Sequence, residues 1–294
     1  MKNILKSLNK LSALSKALII SGLIFYNPVS SQLDRSIMPE SGPAPAIFFG
    51  KPNTFKLDNG LTIMVVENSK LPRASASLSF DNPLIFEGEV AGVSSILGEM
   101  IGNGTQSISK EKFLEEVDFM GASMSVSGSG AFASSLSRYF PRVLELMADA
   151  VLNPLLTQEE FDSQKNLIKE SLKTADKDVA TAANRVQDLI TYGASHPNGE
   201  FVSQETLNKS ELNDAINFFN NYASPSNAYL VIIGDVNFED IKERVTKLFS
   251  GWESKVVASK SFPEPANPED TEIIFVDMPN GVQSVVSVIN TIDF

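Results

Sequence analysis

Between residues 55 and 252 the spacing of apolar residues switches repeatedly between period two and helical spacing, and this alternation narrows the folds open to the chain more than any other feature. Residues 55–66 alternate across Asp58-Asn59-Gly60, a tight-turn signal between two short strands. Residues 74–80 alternate again, with Ser75, Ser77 and Ser79 on one face. From Glu89 to Met100 the spacing is helical, and Ser109-Lys110-Glu111 opens an amphipathic helix with Ser109 as the expected N-cap. Residues 124–137, rich in Ser, Gly and Ala, read as a strand pair. Residues 139–151 read as a helix stopped by Asn153-Pro154. Thr157-Gln158-Glu159-Glu160 predicts the start of one long polar helix reaching about Tyr192, with Phe161, Leu167, Ile168 and Leu172 as its apolar marks. A helix over 211–222, a buried strand over 229–234 and a helix over 238–249 follow. Strands and helices in this order predict an α+β domain with a mixed, largely antiparallel sheet flanked by helices.

The ends of the chain have a different character. Lys2, Lys6, Lys10 and Lys16 precede the apolar run 17–26 and the small residues Ser30-Ser31, so residues 1–31 are expected to be a secretory signal peptide, with an amphipathic or single anchoring helix as the rival; the apolar run is short for a comfortable membrane span. Residues 32–52, with Pro39, Pro43 and Pro45, are expected to form an extended arm, and residues 53–255 the α+β domain. Residues 256–270 read as a proline-rich linker. Residues 271–294 read as two strands turning near Pro279-Asn280-Gly281, the first hairpin of an incomplete second domain that echoes the first.

Charge and composition exclude several functions. The net charge is −12, and removing the four leader lysines takes it to about −16, which repels nucleic acid phosphates and anionic membrane surfaces. The chain has no cysteine, hence no disulfide framework, thiolate metal site or lipid-anchored N-terminal Cys. These features predict a soluble, exported protein in the periplasm, with no nucleic acid partner and no stable membrane span in the mature chain.

One run has the outline of a metal site without its ligands: Gly92-Val93-Ser94-Ser95-Ile96-Leu97-Gly98-Glu99-Met100, followed by Gly104-Thr105. A helical zinc site of the form His-x-x-Glu-His sets two neutral imidazoles four residues apart on one face, with a glutamate to activate bound water. The corresponding positions here are Ser95, Gly98 and Glu99. Only Glu99 is able to ligate zinc well, and Gly98 supplies no base.

With Phe113-Leu114 through Gly121-Ala122, Leu146-Met147-Ala148-Asp149 and Asn153-Pro154, this run resembles the pitrilysin and insulinase family of zinc peptidases, which includes the mitochondrial processing peptidases. Leu167-Ile168-Lys169-Glu170, Tyr192-Gly193 with His196-Pro197, Tyr222-Ala223-Ser224-Pro225-Ser226-Asn227 and Gly234-Asp235-Val236 extend the likeness from about residue 53 to residue 289. The resemblance implies the fold of that family and places Glu170 close to the position of its third zinc ligand. With both histidines and the glutamate replaced, the site is degenerate, no catalytic or metal-binding residue is assigned, and the chain is expected to be inactive alone.

The resemblance also implies a division of labour, since some members pair a zinc-bearing subunit with one stripped of ligands. The expected function is therefore a non-catalytic subunit of an exported zinc metallopeptidase complex, enclosing and binding peptide for a homologous, zinc-bearing partner. Two alternatives are an active zinc metalloendopeptidase with an atypical site and a stand-alone envelope peptide-binding protein. Glu99 and Glu170 read chiefly as helix-surface or cleft carboxylates, with an altered site for calcium or magnesium as the rival. His196 reads as a structural or surface residue near a turn, and a Ser95 nucleophile would need it as a base. The Ser/Gly/Ala stretch 122–135 reads as small strand residues admitting a close helix, or as a sheet edge to which peptide adds as a strand.

Overall fold

The structure is a computed structural model that describes residues 42, 51–279 and 281–292. The expected signal peptide at 1–31 and all but three residues of the expected arm at 32–52 lie outside them. Six strands form one sheet: β1 (Asn53–Lys56), β2 (Thr62–Glu67), β3 (Arg73–Phe80), β4 (Ser123–Ser127), β5 (Gly130–Leu136) and β6 (Ala228–Gly234). Their order is β1-β2-β6-β3-β5-β4, antiparallel except for the parallel β2–β6 pair. The fold is thus α+β with a mixed, largely antiparallel sheet, as the pattern predicts.

Period-two alternation explains which side of each strand is buried. Ile63, Val65, Ala74, Ala76, Leu78, Ala131, Ala133, Leu230 and Ile232 face the core, while Ser75, Ser77 and Ser79 turn the other way. On β3, Ser77 lies opposite Phe132 of β5 and Val231 of β6, so the serine row runs along the middle of the outer face. The small residues on the inner face have a packing role. Helix α3 (Phe140–Leu152) lies across β3 and β5, burying Phe140, Val143, Leu144 and Met147 over alanines. Helix α8 (Phe238–Phe249) completes this core with Ile241, Val245 and Phe249.

A second apolar cluster gathers beside the first. Helix α1 (Val93–Met100) buries Val93, Ile96, Leu97 and Met100 against α4 (Gln158–Ala175) and α7 (Leu212–Tyr222), with Phe161, Leu207 and Ala215 inside. Helix α2 (Lys110–Phe119) packs Phe113 and Val117 into the sheet core. Ser109 holds the N-cap position, as expected, but its side chain makes no capping hydrogen bond to the backbone.

Two expectations are corrected, and one element is new. The single long helix from residue 158 to about Tyr192 is two helices, α4 and α5 (Val179–Tyr192), because Asp178 caps a new start by accepting from the Thr181 amide at 2.7 Å. The element the sequence reading does not foresee is a short helix, α6 (Gln204–Lys209), which begins at Ser203, whose hydroxyl and Thr206 form a reciprocal capping box. Finally, no strand forms over 271–277 or 282–289; the described residues of 253–292 contain no helix or strand, and Ile273, Phe275, Val286 and Val288 are exposed. Alternation tells a strand which faces it has, but a ladder needs a neighbour, and a lone two-strand hairpin is marginal in water. The turn itself is present: the Gly281 amide donates to the Met278 carbonyl at 3.0 Å. The Asn267 side chain ties the return by pairing with the backbone of Thr291.

Candidate functional site

On α1 the buried residues occupy one side, so Ser95 and Glu99, four apart, share the exposed side. Gly98 faces the turn between β4 and β5: a Cβ built there has the Gly128 amide nitrogen as its nearest neighbour, at 3.9 Å. The same turn approaches Ser94, whose carbonyl oxygen lies 3.9 Å from a Cβ built on Gly128. The helix therefore sits beside the end of β4, and β4 is an outermost strand of the sheet. Val126 of β4 packs into the cluster under α1, and a Cβ on Gly102, just past the helix, would come 3.3 Å from Val126 Cβ.

The start of α1 is held in an unusual way. Its N-cap is Gly92, at φ 107°, where a Cβ would come 2.7 Å from Val202 Cγ1, so no capping side chain fits. Glu87 supplies the cap from outside the helix: its Oε2 accepts from the amides of Gly92 (2.8 Å) and Ser94 (3.2 Å). Glu200 holds Glu87 in turn, accepting from the amides of Glu87 (3.0 Å) and Gly88 (2.9 Å). Burial raises the Glu200 carboxyl above the ordinary Glu value, the two backbone hydrogen bonds work against this, and the charge of Glu87 adds to the rise.

The loop after α1 is anchored by a second polar network. Thr105 Oγ1 accepts from the amides of Ser107 (3.2 Å) and Ile108 (3.0 Å), and Ser107 Oγ donates to Asp149 Oδ2 (2.8 Å). Asn153 Nδ2 donates to Asp149 Oδ1 (2.9 Å), while the Asn153 carbonyl accepts from the Gln106 amide (2.9 Å). Burial acts to raise the Asp149 carboxyl, but hydrogen bonds with Thr105, Asn153 and Ser107 and the charge of Arg142 outweigh it and hold it below the ordinary Asp value. Gly104-Thr105, Asp149 and Asn153-Pro154 of the sequence pattern thus have a common structural purpose, binding this loop to the end of α3.

The expected positions do not combine into a metal centre. Glu170 lies on an exposed side of α4 and pairs with Lys173 at 2.5 Å. Among the described residues no three of His, Cys, Asp and Glu are grouped to hold a metal ion. Ser95 offers a hydroxyl, Gly98 nothing and Glu99 a solvated carboxylate, so the donor set does not fit zinc. The Ser95–His196 pairing has no geometric support either. His196 is buried, stacked on Tyr192 at 5.0 Å, and its Nδ1 accepts from the Asn198 amide at 3.0 Å. Sequence reading missed Glu87 and Glu200 altogether; the available signal was a glycine at an N-cap with an acidic residue just upstream.

Two stretches of the chain match known families. Residues 63–196 match the family described as Insulinase (Peptidase family M16), and residues 210–290 match that described as Peptidase M16 inactive domain. Together they take in well over half of the chain, and the parallel β2–β6 pair joins one stretch to the other. Among curated relatives, a zinc protease of Rickettsia felis is 23% identical over 67% of this chain and 50% of its own length. The mitochondrial-processing peptidase subunit beta of Mus musculus is 24% identical over 68% of this chain and 42% of its own. The chain spans about half the length of these relatives, or less. Among solved structures, a protease from Helicobacter pylori shares the fold with a TM-score of 0.63 at 19% identity, covering 74% of this chain and 54% of that one. A peptidase M16 inactive domain from Pseudomonas fluorescens does so with a TM-score of 0.65 at 20% identity and the same coverage.

Proposed function

The chain belongs to the insulinase family of peptidases, family M16, and from that premise we propose that it is a non-catalytic subunit of an exported zinc metallopeptidase complex. In this role it encloses and binds peptide for a homologous, zinc-bearing partner, in the periplasm. The observation that carries the reading is the juxtaposition at α1: a strand edge at β4 lies beside a helix whose ligand positions are Ser95, Gly98 and Glu99. An edge strand pairs with an extended peptide through backbone N–H and C=O groups, with little demand on side-chain identity. Binding of that kind does not need the imidazoles that the chemistry needs. The names of the relatives are consistent with a paired enzyme, since mitochondrial-processing peptidases occur among them as alpha and beta subunits.

The mechanism under this reading is confined to holding substrate. Peptide backbone groups replace water on the β4 edge, and the Glu87 cap and the Asp149 network keep α1 and its following loop in place beside that edge. Bond cleavage belongs to the partner. Native mass spectrometry with metal analysis, on the complex isolated from the source cells, tests this: a one-to-one complex with a different, zinc-containing chain is expected. A metal-free monomer or homodimer favours the stand-alone binding protein, and zinc carried by this chain alone overturns the reading.

A further inference from the structure

Two of the sequence motifs shared with the family grip the chain that leaves α8. The first is Ser224-Pro225-Ser226-Asn227. Ser224 is fully buried; its Oγ accepts from the Lys255 amide (3.0 Å) and lies 2.8 Å from the Lys255 carbonyl oxygen, to which Ser226 Oγ also donates at 2.8 Å. The Lys255 ammonium reaches back to the Asn220 carbonyl at 3.3 Å. Both backbone groups of one residue are thereby held, and buried Pro225 stiffens the turn that holds them.

The second is Tyr192-Gly193 with His196-Pro197. The His196 ring, stacked on Tyr192 and oriented by the Asn198 amide, meets Phe262 in a T-shaped contact (centroids 5.2 Å apart, planes at 67°). Phe86 also meets the Phe262 ring, centroids 6.4 Å apart, and the Lys260 ammonium sits 5.4 Å from the Phe262 ring centre and 5.7 Å from that of Phe86. Between the two attachments the chain arches over an open cavity of about 490 Å³ lined by Asp81, Asn227, Val256 and Val257 among others.

We infer that residues 253–262 form a strap with two docks, Ser224 and Ser226 at one end and the Tyr192–His196 stack at the other, so that the chain beyond Phe262 leaves this sheet in one set direction. Composition alone reads this stretch as the start of a free linker, but a chain bound at two points seven residues apart has lost that freedom. Pro263 and Pro265 follow directly, and their restricted φ carries the direction onward. The inference is independent of whether the protein acts as a partner subunit.

The chain has no cysteine, so two introduced thiols can be spin-labelled selectively. With Asp188→Cys on α5 and Glu264→Cys beyond the strap, both at exposed positions, electron–electron distance measurement on the full chain is expected to give one narrow distribution. Adding Phe262→Ala, or Ser224→Ala with Ser226→Ala, is expected to broaden it while the thermal unfolding transition is retained. A broad distribution before either change, or an unaltered width after both, overturns the strap. Hydrogen exchange on the unaltered chain is a second measurement that does not depend on variants folding: the Lys255 amide is expected to be protected against its neighbours, and exchange at the rate of an unstructured amide overturns the first dock.

Discussion

Glu200 and Glu87 act in series on the first turn of α1: Glu200 accepts from the Glu87 amide at 3.0 Å, and the Glu87 carboxylate accepts from the amides of Gly92 and Ser94 at 2.8 and 3.2 Å. The helix N-terminus attracts negative charge, and the glycine at its N-cap has no side chain to offer. A residue outside the helix therefore performs a capping role that is usually local.

Glu87→Ala should destabilise the protein by about 1–2 kcal/mol, the scale of a lost helix cap. Glu87→Gln, which keeps an acceptor, should cost less. Denaturant midpoints of the two variants check this, and an Ala variant as stable as the natural protein would show that the relay holds nothing.

The pH dependence carries two opposite signs. Asp149 has its folded pKa lowered, so its contribution to stability is present above the ordinary Asp value of about 3.9 and is lost as the pH falls through the folded value. Glu200 has its folded pKa raised, so the folded protein holds that proton more firmly, and its contribution declines as the pH rises from the ordinary Glu value, about 4.3, through the folded one. Asp149→Asn should therefore be less stable than the natural protein at neutral pH, with the gap closing in acid. Glu200→Gln should instead gain relative to the natural protein as the pH rises through that upper window. Urea titrations at a series of pH values read both.

Two glycines should respond oppositely to alanine. Gly98 lies inside α1 with its nearest obstacle 3.9 Å from a built Cβ, so Gly98→Ala should stabilise by about 0.5–1 kcal/mol through helix propensity. Gly234, at φ 141°, would place a Cβ 2.2 Å from the Arg73 carbonyl oxygen, so Gly234→Ala should be strongly destabilising. Equal effects on the melting temperature would contradict this placement of α1 and β6.

The metal reading is checked by composition. The natural protein, dialysed against dilute zinc and then metal-free buffer, should retain no stoichiometric zinc. The triple variant Ser95→His, Gly98→Glu, Glu99→His sets two imidazoles on the exposed side of α1 and should bind zinc more tightly than the natural protein, yet still lose it in that dialysis, because two protein ligands fall short of the three or four of a zinc site. Stoichiometric zinc in the natural protein would overturn the assignment of a degenerate site.

Much of the fold is legible in the residues, because the signals are local. Phe238 through Phe249 form the helix that their apolar spacing predicts, and Asp58-Asn59-Gly60 lies in the loop joining β1 and β2. The break in the long polar helix at Asp176-Lys177-Asp178 is not legible, because a cap and a helix interior look alike until a backbone amide finds Asp178. At the candidate site, the identities of Ser95, Gly98 and Glu99 are plain from sequence. Their position beside β4 is not, since it depends on Gly98 meeting Gly128 across the fold.

The sequence by itself determined most local elements between residues 53 and 252, the buried side of each strand and the loss of the zinc ligands, because periodicity, capping and ligand chemistry reside in neighbouring residues. Only the tertiary structure decided that β2 pairs in parallel with β6, that Glu87 caps α1, that His196 is a dock for Phe262, and that the described residues of 271–289 form no strand. Each of these joins residues distant in sequence or requires a neighbour to complete it. Alternation says which way a side chain points, but partner and register are chosen by the packing of the whole chain.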